Sequence, residues 1–192
     1  MKAIKQSQKA LNEVISVLEN GGVIICPTDT VYGFLALAEN EKAVEKIYKI
    51  KKRPRSKPLP VFVKDIKIAQ ELANISKDQE KVLKKHWPGK YTFVLEIRKT
   101  AKLYGQDKKT IALRIPKYKF LNDLLKKINK PLVQTSVNIS GEPELKKIKE
   151  IIEKFKDNKN KPNLIINRGN LLKSKSSKIV DLTREDKVVL RY

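Results

Sequence analysis

The segment from Lys51 to Lys57 concentrates positive charge in a stretch that prolines make stiff. Five of its seven residues are lysine or arginine, and prolines follow at positions 54, 58 and 60. Like charges at this spacing repel one another, so the cluster needs either surrounding water or an anion. Arg53 adds a planar fork of donors that fits a phosphate or a carboxylate. Two interpretations stay open at this point: a solvated hinge, or a clamp for a strongly anionic ligand.

Other polar stretches follow strand-like runs, and open α/β sheets bind ligands where their strands end. These stretches are "PTDTVYG" (27–33), "TIALRIP" (110–116), "TSVNISGEP" (135–143) and, more weakly, "SSKIVDL" (176–182) with Arg191 beyond it. Each one, taken singly, is better explained by a turn or a helix cap than by a ligand site. Their joint presence favours a ligand site.

The residue inventory excludes several chemistries. His86 is the only histidine and Cys26 the only cysteine, so a His/Cys zinc site is nearly impossible. His86 precedes "WPG" at a helix end, which favours capping or packing, and Cys26 ends the apolar run "GVIIC", which favours burial. The glycines form neither a P-loop nor a GxGxxG fingerprint. A bound nucleotide would therefore depend on side chains and on the ends of helices and strands.

The net charge of +22 favours a polyanionic partner, such as RNA or a phosphorylated substrate. A genome that encodes lysine freely would produce the same excess, so charge alone does not decide. We find no apolar run of about 18 residues and no signal peptide. No membrane contact and a cytoplasmic location are therefore expected.

Helical and strand-like patterns alternate along the 192 residues, without a repeat or an evident linker. Helices are predicted over 5–20, 41–51, 118–129 and 143–156, and Asp65 and Ser76 can each start a shorter one. We expect an α/β (α+β) protein with one domain over residues 1–192, built on a large twisted mixed sheet with packed helices.

The ordered motifs resemble the YrdC-like threonylcarbamoyl-adenylate synthases. That family has PTDTVYGL, KxRP with a following PL, LRxP, SxNxSG, a serine before [IV]VD and a late arginine. This chain has "PTDTVYGF", "KKRP" with "KPL", "LRIP", "SVNISG", "SKIVD" and "VLR" in the same order. The resemblance implies a YrdC/RibB-like fold, without the second C-terminal domain of longer members.

The resemblance also implies a reaction. L-Threonine, bicarbonate and ATP give threonylcarbamoyl-adenylate and pyrophosphate, and a downstream transferase system then modifies tRNA at an adenosine next to the anticodon. Mg²⁺ is expected to arrive on ATP, held by phosphates and water, with no dedicated protein metal site. Contact with tRNA is expected to be weak and electrostatic.

Carried over position by position, the resemblance implies a set of site residues. Lys51 and Arg53 would hold the triphosphate with Lys57 nearby, and the prolines would lower the entropy cost of fixing that cluster. Arg114 would fork onto the threonine carboxylate, although a strand-end salt bridge is the alternative. The remaining expectations are Ser136 and Asn138 toward the phosphates, Arg191 toward ATP, and Thr30, Thr110, Phe62 and Ser177 toward L-threonine, with Phe62 standing where longer relatives have a histidine.

Two rival functions stay open. YrdC-like modules also occur in hydrogenase-maturation proteins that handle carbamoyl phosphate, but those are larger chains with additional parts. A non-catalytic RNA-binding module would explain the charge. It would not explain the ordered KxR, LRxP and SxN motifs.

Overall fold

One mixed sheet organises the chain. The structure is a computed structural model that describes residues 1–172, 175–184 and 188–191. Its eleven strands are hydrogen-bonded in the order β1-β9-β2-β3-β8-β4-β7-β6-β10-β11, and β5 pairs with β6 off this path. The strands are β1 (Lys2–Lys5), β2 (Ile24–Cys26), β3 (Gly33–Leu37), β4 (Val61–Phe62), β5 (Ala73–Asn74), β6 (Tyr91–Ile97), β7 (Thr110–Arg114), β8 (Leu132–Ser136), β9 (Leu164–Asn167), β10 (Lys178–Asp181) and β11 (Val188–Arg191).

Six helices are described, and they start where the sequence supplies caps. They are α1 (Ala10–Glu19), α2 (Glu41–Lys51), α3 (Ile66–Leu72), α4 (Lys77–His86), α5 (Lys119–Ile128) and α6 (Ile148–Lys156). The predicted caps are confirmed: Asn40 and Asp65 each accept a backbone N–H at a helix start, and Ser76 forms a capping box with Gln79. Such caps satisfy amides that the first helical turn leaves without a carbonyl partner.

The two faces of the sheet are covered unequally. On one face, α2, α3, α4 and α6 pack their buried side chains against strand residues such as Phe34 and Leu113. On the other, α1 and α5 pack against residues such as Leu35 and Phe62. Phe62 is paired with Arg114 across parallel strands β4 and β7, so both side chains share that second face. Beyond Phe62, along β7, β6 and β10, the second face borders open cavities.

Three elements differ from the sequence prediction. Lys2–Lys5 form an edge strand parallel to β9, so the first helix begins only at Ala10. The sequence pattern did not identify β3, whose five residues are all buried. The helix predicted over 143–156 is shorter because the Leu145 N–H donates to the Val137 carbonyl, which ties the preceding segment to the end of β8.

The single cysteine and the single histidine have packing roles. Cys26 is fully buried, and burial raises the pKa of its thiol far above the usual range. The His86 ring lies 4.3 Å from the Tyr91 ring, measured between centroids. Among the residues that the structure describes, no helix combines the length and apolar character that a membrane crossing requires.

Candidate active site

A cavity of about 240 Å³ brings together side chains from five separate sequence motifs. Its walls also include apolar residues of β6, β7 and β10, and its volume is below the roughly 300–1,000 Å³ of pockets for drug-sized ligands. The predicted site residues that line it are Thr30, Arg53, Arg114, Ser136 and Ser177. Such a space suits a small polar molecule better than a nucleotide.

A buried ion pair forms the floor of this cavity. The Arg114 guanidinium donates from Nη2 to Asp29 Oδ1 at 2.6 Å, and the two side chains are only 1% and 7% exposed. Arg114 also donates to the Gly89 carbonyl and to the Thr30 hydroxyl. The second oxygen of Asp29 accepts the Lys117 backbone N–H at 3.0 Å. Asp29 therefore fixes the end of β7 to the turn between β2 and β3.

The hydroxyl of Thr30 makes two hydrogen bonds within the protein, one as donor and one as acceptor. The Thr28 hydroxyl donates to the Val31 carbonyl at 2.8 Å, so its remaining capacity is to accept. It accepts the Thr30 N–H, and the contact of 2.9 Å between the two hydroxyls makes Thr30 the donor. Thr30 in turn accepts from Arg114 at 3.2 Å. Toward a ligand, Thr30 therefore offers only acceptor capacity.

The structure corrects the expected position of Phe62. Its side chain is fully buried in the core under α1 and α5, and the described lining of the cavity does not include it. The Arg114 Cζ lies 5.6 Å from the centre of the Phe62 ring. Phe62 thus supports Arg114 from the core, and a direct contact with a threonine methyl group has no structural support.

Lys51 is the second buried charge beside the cavity. Its side chain donates to the Ser136 carbonyl at 2.6 Å, to the Asn138 carbonyl at 3.0 Å and to Asn138 Oδ1 at 2.7 Å. An ammonium group has three N–H donors, so these acceptors match its full capacity. Burial and the nearby charge of Arg53 lower the pKa of Lys51 to about 7. Lys51 therefore holds the "SVN" loop, and the described lining does not include it.

The loop after β8 is closed on itself by Asn138. Its Oδ1 also accepts the Ser136 hydroxyl at 2.8 Å, and its Nδ2 donates to the Glu142 carbonyl at 2.7 Å. Both ends of the Asn138 amide are thus engaged within the protein, and only Ser136 of this pair lines the cavity. In this structure Asn138 positions the loop, and its expected contact with the phosphates stays a prediction.

Hydrogen bonds anchor the basic segment that follows α2. Arg53 donates from Nε to the Lys57 carbonyl at 2.9 Å and from Nη2 to the Pro58 carbonyl at 3.0 Å. The Tyr48 hydroxyl also donates to the Lys57 carbonyl, and Arg55 pairs with Glu45. These contacts favour a shaped loop over a solvated hinge. The Lys57 side chain is exposed and lies outside the lining of the cavity.

A larger open groove of about 1130 Å³ continues along the same face of β6 and β7. Its lining includes Glu96 and Thr110, two residues along their strands from the Val94 and Ala112 of the smaller cavity. Thr110 lies about 13 Å along β7 from Arg114, at about 3.3 Å per residue. The structure therefore places Thr110 in the groove and not beside Arg114. Four basic residues also line the groove, namely Arg98, Lys99, Lys108 and Lys109.

The last two expected residues lie near the C-terminal end. Ser177 precedes β10 and shares a hydrogen bond of 3.0 Å with the buried Thr92 hydroxyl. The backbone of Arg191 belongs to β11, paired with Ile179. The side chain of Arg191 lies outside the described part of the structure.

Sequence reasoning missed two residues of this site. Asp29 lies inside "PTDT", between two threonines and next to apolar strand-like runs. That position was the available signal that its carboxylate is buried. Gln134 lines the cavity from the interior of β8, with its side chain beside Gly33. A glutamine directly after the apolar residues of the strand-like run "PLVQTSV" was its only signal.

With this geometry in place, comparison with known proteins assigns the chain to a family. The sequence profile of the Sua5/YciO/YrdC family, described as "Telomere recombination", matches residues 16–192. The chain belongs to this family. It is 34% identical over 185 residues to a "Putative threonylcarbamoyl-AMP synthase" of Methanocaldococcus jannaschii, covering 96% of this chain and 86% of the relative. It is 28% identical over 190 residues to "Uncharacterized protein YciO" of Escherichia coli K12, covering 96% and 89%.

Solved structures of the Sua5/YciO/YrdC family share the fold. The Pyrococcus abyssi Sua5 structure, complexed with L-threonine, matches with a TM-score of 0.87 at 28% identity, covering 99% of this chain. The match covers only 56% of that Sua5 chain. The Escherichia coli YciO structure matches with a TM-score of 0.86 at 26% identity, covering 99% of this chain and 92% of the other. The expected mixed α/β fold is confirmed.

The buried ion pair predicts a large cost for removing its acid. Asp29→Asn should lower the free energy of unfolding by about 3 kcal/mol or more, because it removes the carboxylate that pairs with the buried Arg114 charge. Urea unfolding measures this change. Asp123→Asn is the control, since its pair with exposed Lys119 on one helix turn should contribute less than about 0.5 kcal/mol. Equal effects of the two variants would contradict the assignment.

Lys51 predicts a pH dependence of stability. Its pKa is lower in the folded chain, about 7, than the usual value of 10.5. Between those values the unfolded chain binds more protons, so stability rises with pH, by up to about 1.4 kcal/mol per unit. Urea unfolding between pH 7 and 9 should show this slope. Lys51→Met should flatten it and the exposed control Lys57→Met should retain it, whereas a slope retained in Lys51→Met would contradict the prediction.

Proposed function

We propose that this chain is an L-threonylcarbamoyl-adenylate synthase, which joins L-threonine, bicarbonate and ATP and releases pyrophosphate. The observation that supports it best is the single cavity lined by Thr30, Arg53, Arg114, Ser136 and Ser177. These residues are far apart in sequence, and the resemblance assigns all five to amino-acid or phosphate contacts. Relatives named threonylcarbamoyl-AMP synthase support the same activity.

The amino acid occupies the end of the cavity that Arg114 borders. The guanidinium binds the substrate carboxylate from its cavity side while Asp29 and Gly89 hold it in place. Thr30, restricted to accepting, receives a proton donor of the amino acid. Ser177 closes the same space from the segment that precedes β10.

The triphosphate lies at the Arg53 end. Two carbonyl oxygens orient the Arg53 guanidinium, which lines the cavity and can donate to phosphate oxygens there. Ser136 adds a neutral hydroxyl, which the loop held by Lys51 presents. The cavity is too small for ATP as well as an amino acid, so ATP extends into the neighbouring groove. Thr110, which lines that groove, then neighbours ATP and not threonine.

The chemistry asks the protein mainly for positioning. The threonine amine and bicarbonate give a carbamate and water. A carbamate oxygen then bonds to the α-phosphorus, and the bond from that phosphorus to the bridging oxygen breaks, so pyrophosphate leaves with the electron pair. Arg53 stabilises the charge that develops on the phosphoryl oxygens. Arg114, which is held in a fixed position, orients the carbamate of threonine toward the α-phosphorus of ATP.

The donor set of the cavity fits Mg²⁺ that comes with ATP. No carboxylate belongs to its described lining, and Asp29, which lies beneath, is engaged by Arg114. Magnesium keeps several waters and binds largely through substrate phosphates in such sites. When bound, it would neutralise phosphate charge, and Arg53 and Ser136 would contact the remaining phosphate oxygens.

Binding of RNA is a second activity that the charge supports. The net charge is +22, and basic side chains line the large groove beside the cavity. In this proposal a downstream transferase moves the threonylcarbamoyl group of the product to tRNA, and both steps take place in the cytoplasm. A non-catalytic RNA-binding module is the alternative function, since it needs the charge and not the cavity.

One incubation separates the two functions. The protein is mixed with ATP, bicarbonate and radiolabelled L-threonine, and the products are searched for a threonine-dependent adenylate and for pyrophosphate. The synthase forms both only when threonine is present. An RNA-binding module forms neither, yet retains RNA in a filter assay.

Arg53 predicts a loss of turnover. Arg53→Ala should lower the rate of adenylate formation at least about a hundredfold, since one charge-assisted donor in the transition state contributes roughly 3 kcal/mol. Arg53→Lys should not restore the rate, because the planar fork is lost. Arg55→Ala is the matched control, since Arg55 pairs with Glu45 away from the cavity. A rate near that of the unmodified protein in Arg53→Ala would refute the role.

The charge excess predicts salt-dependent binding of tRNA. Affinity should be weak, tolerant of sequence and steeply lower at high salt, because each lysine on a phosphate releases a counterion. Titration at 50 and 200 mM salt measures the slope, and mixed-sequence RNA of equal length tests the tolerance. Affinity that does not change between these salt concentrations would contradict an electrostatic origin.

A further inference from the structure

Gln134 is a buried polar side chain that the mechanism above does not use. It is 8% exposed and lines the 240 Å³ cavity beside Thr30 and Arg114. Within residues 1–172, 175–184 and 188–191, its side-chain amide has no hydrogen-bond partner, whereas its backbone N–H donates to the Pro60 carbonyl. Gln134 is not among the side chains with fully buried, unpartnered polar atoms, so its amide opens onto the cavity. A ligand in the cavity can take the place of water as the partner of this amide.

The backbone beneath Gln134 makes room for its amide. Gln134 Nε2 lies 3.2 Å from the position that a Cβ atom on Gly33 would take. Any larger residue at position 33 would press on the amide, so the glycine lets this side chain lie flat along β3. Gln134 occupies the face of β8 that it shares with Ser136, two residues on. Its amide therefore borders the space between the Arg114 end and the Ser136 end of the cavity.

We infer that Gln134 determines specificity by binding the side-chain hydroxyl of the amino-acid substrate. The inference rests on the proposed synthase function. Thr30 has only acceptor capacity left, and in the proposed arrangement Arg114 binds the carboxylate. A glutamine amide can donate and accept at once, as a hydroxyl can, so the two groups form a matched pair.

This role has a definite signature in substrate choice. A site that hydrogen-bonds a hydroxyl rejects the analogue without it, because the site's buried polar group is then left unpaired. L-2-Aminobutyrate has the carbon skeleton of threonine without the hydroxyl. L-Serine keeps the hydroxyl and lacks the methyl group. Gln134 should therefore govern the choice between threonine and 2-aminobutyrate and leave the choice between threonine and serine unchanged.

The test measures kcat/KM for adenylate formation with all three amino acids. The unmodified protein should favour threonine over 2-aminobutyrate by about a hundredfold, which is the ratio expected when one polar group of the site is left unpaired. Gln134→Met, which keeps length and removes both hydrogen-bonding atoms, should reduce that ratio at least tenfold and change the threonine-to-serine ratio less than about twofold. Gln70→Met is the matched control, because the Gln70 amide donates to Glu80 outside the cavity.

The outcomes separate this inference from the proposed function. Adenylate formation with an unchanged threonine-to-2-aminobutyrate ratio in Gln134→Met overturns the inference and leaves the synthase function standing. Absence of any amino-acid-dependent adenylate in the unmodified protein overturns both. Calorimetry on the unmodified protein needs no variant: affinity for 2-aminobutyrate equal to that for threonine would also overturn the inference.

Discussion

The ion pair between Arg114 and Asp29 is the constraint on which the cavity depends. Two buried charges are stable only as long as each satisfies the other, so the end of β7 and the turn after β2 must meet at 2.6 Å. That requirement sets the place of Thr30, which accepts from the same guanidinium, and of the backbone at Lys117. Loss of one charge would release both walls at once.

Lys51 imposes the same kind of constraint on the opposite wall. Its three acceptors belong to Ser136 and Asn138, so the loop after β8 is shaped around one ammonium group at the end of α2. A lysine that the motif pattern assigns to the triphosphate thus serves first as an internal anchor. The lowered pKa of Lys51 shows the cost of burying it and explains why three oxygen atoms surround it.

The sequence predicted most of the helices and strands because local signals specify them. Caps at Asn40 and Ser76 and apolar runs such as "KYTFVLEIR" need no tertiary information. Membership in the site was less predictable. Phe62 and Thr110 both belong to motifs that border the site. The alternation of side chains along β4 puts Phe62 in the core, and the length of β7 puts Thr110 about 13 Å from Arg114. Gln134 has only a weak local signal, since only the folded sheet shows that its side chain lines the cavity.

The two arginines that line the cavity are held in different ways. Arg114 pairs with the buried carboxylate of Asp29, which fixes its guanidinium and leaves its cavity side toward the carboxylate of the proposed amino-acid substrate. Arg53 donates to two carbonyl oxygens, which orient its guanidinium at the other end of the cavity, where the triphosphate is proposed to bind. A carbonyl oxygen has no net charge, so the two carbonyl groups that hold Arg53 fix its direction without placing a negative charge beside the phosphate groups of the proposed substrate. A carboxylate in their place would orient the same guanidinium and repel those phosphate groups.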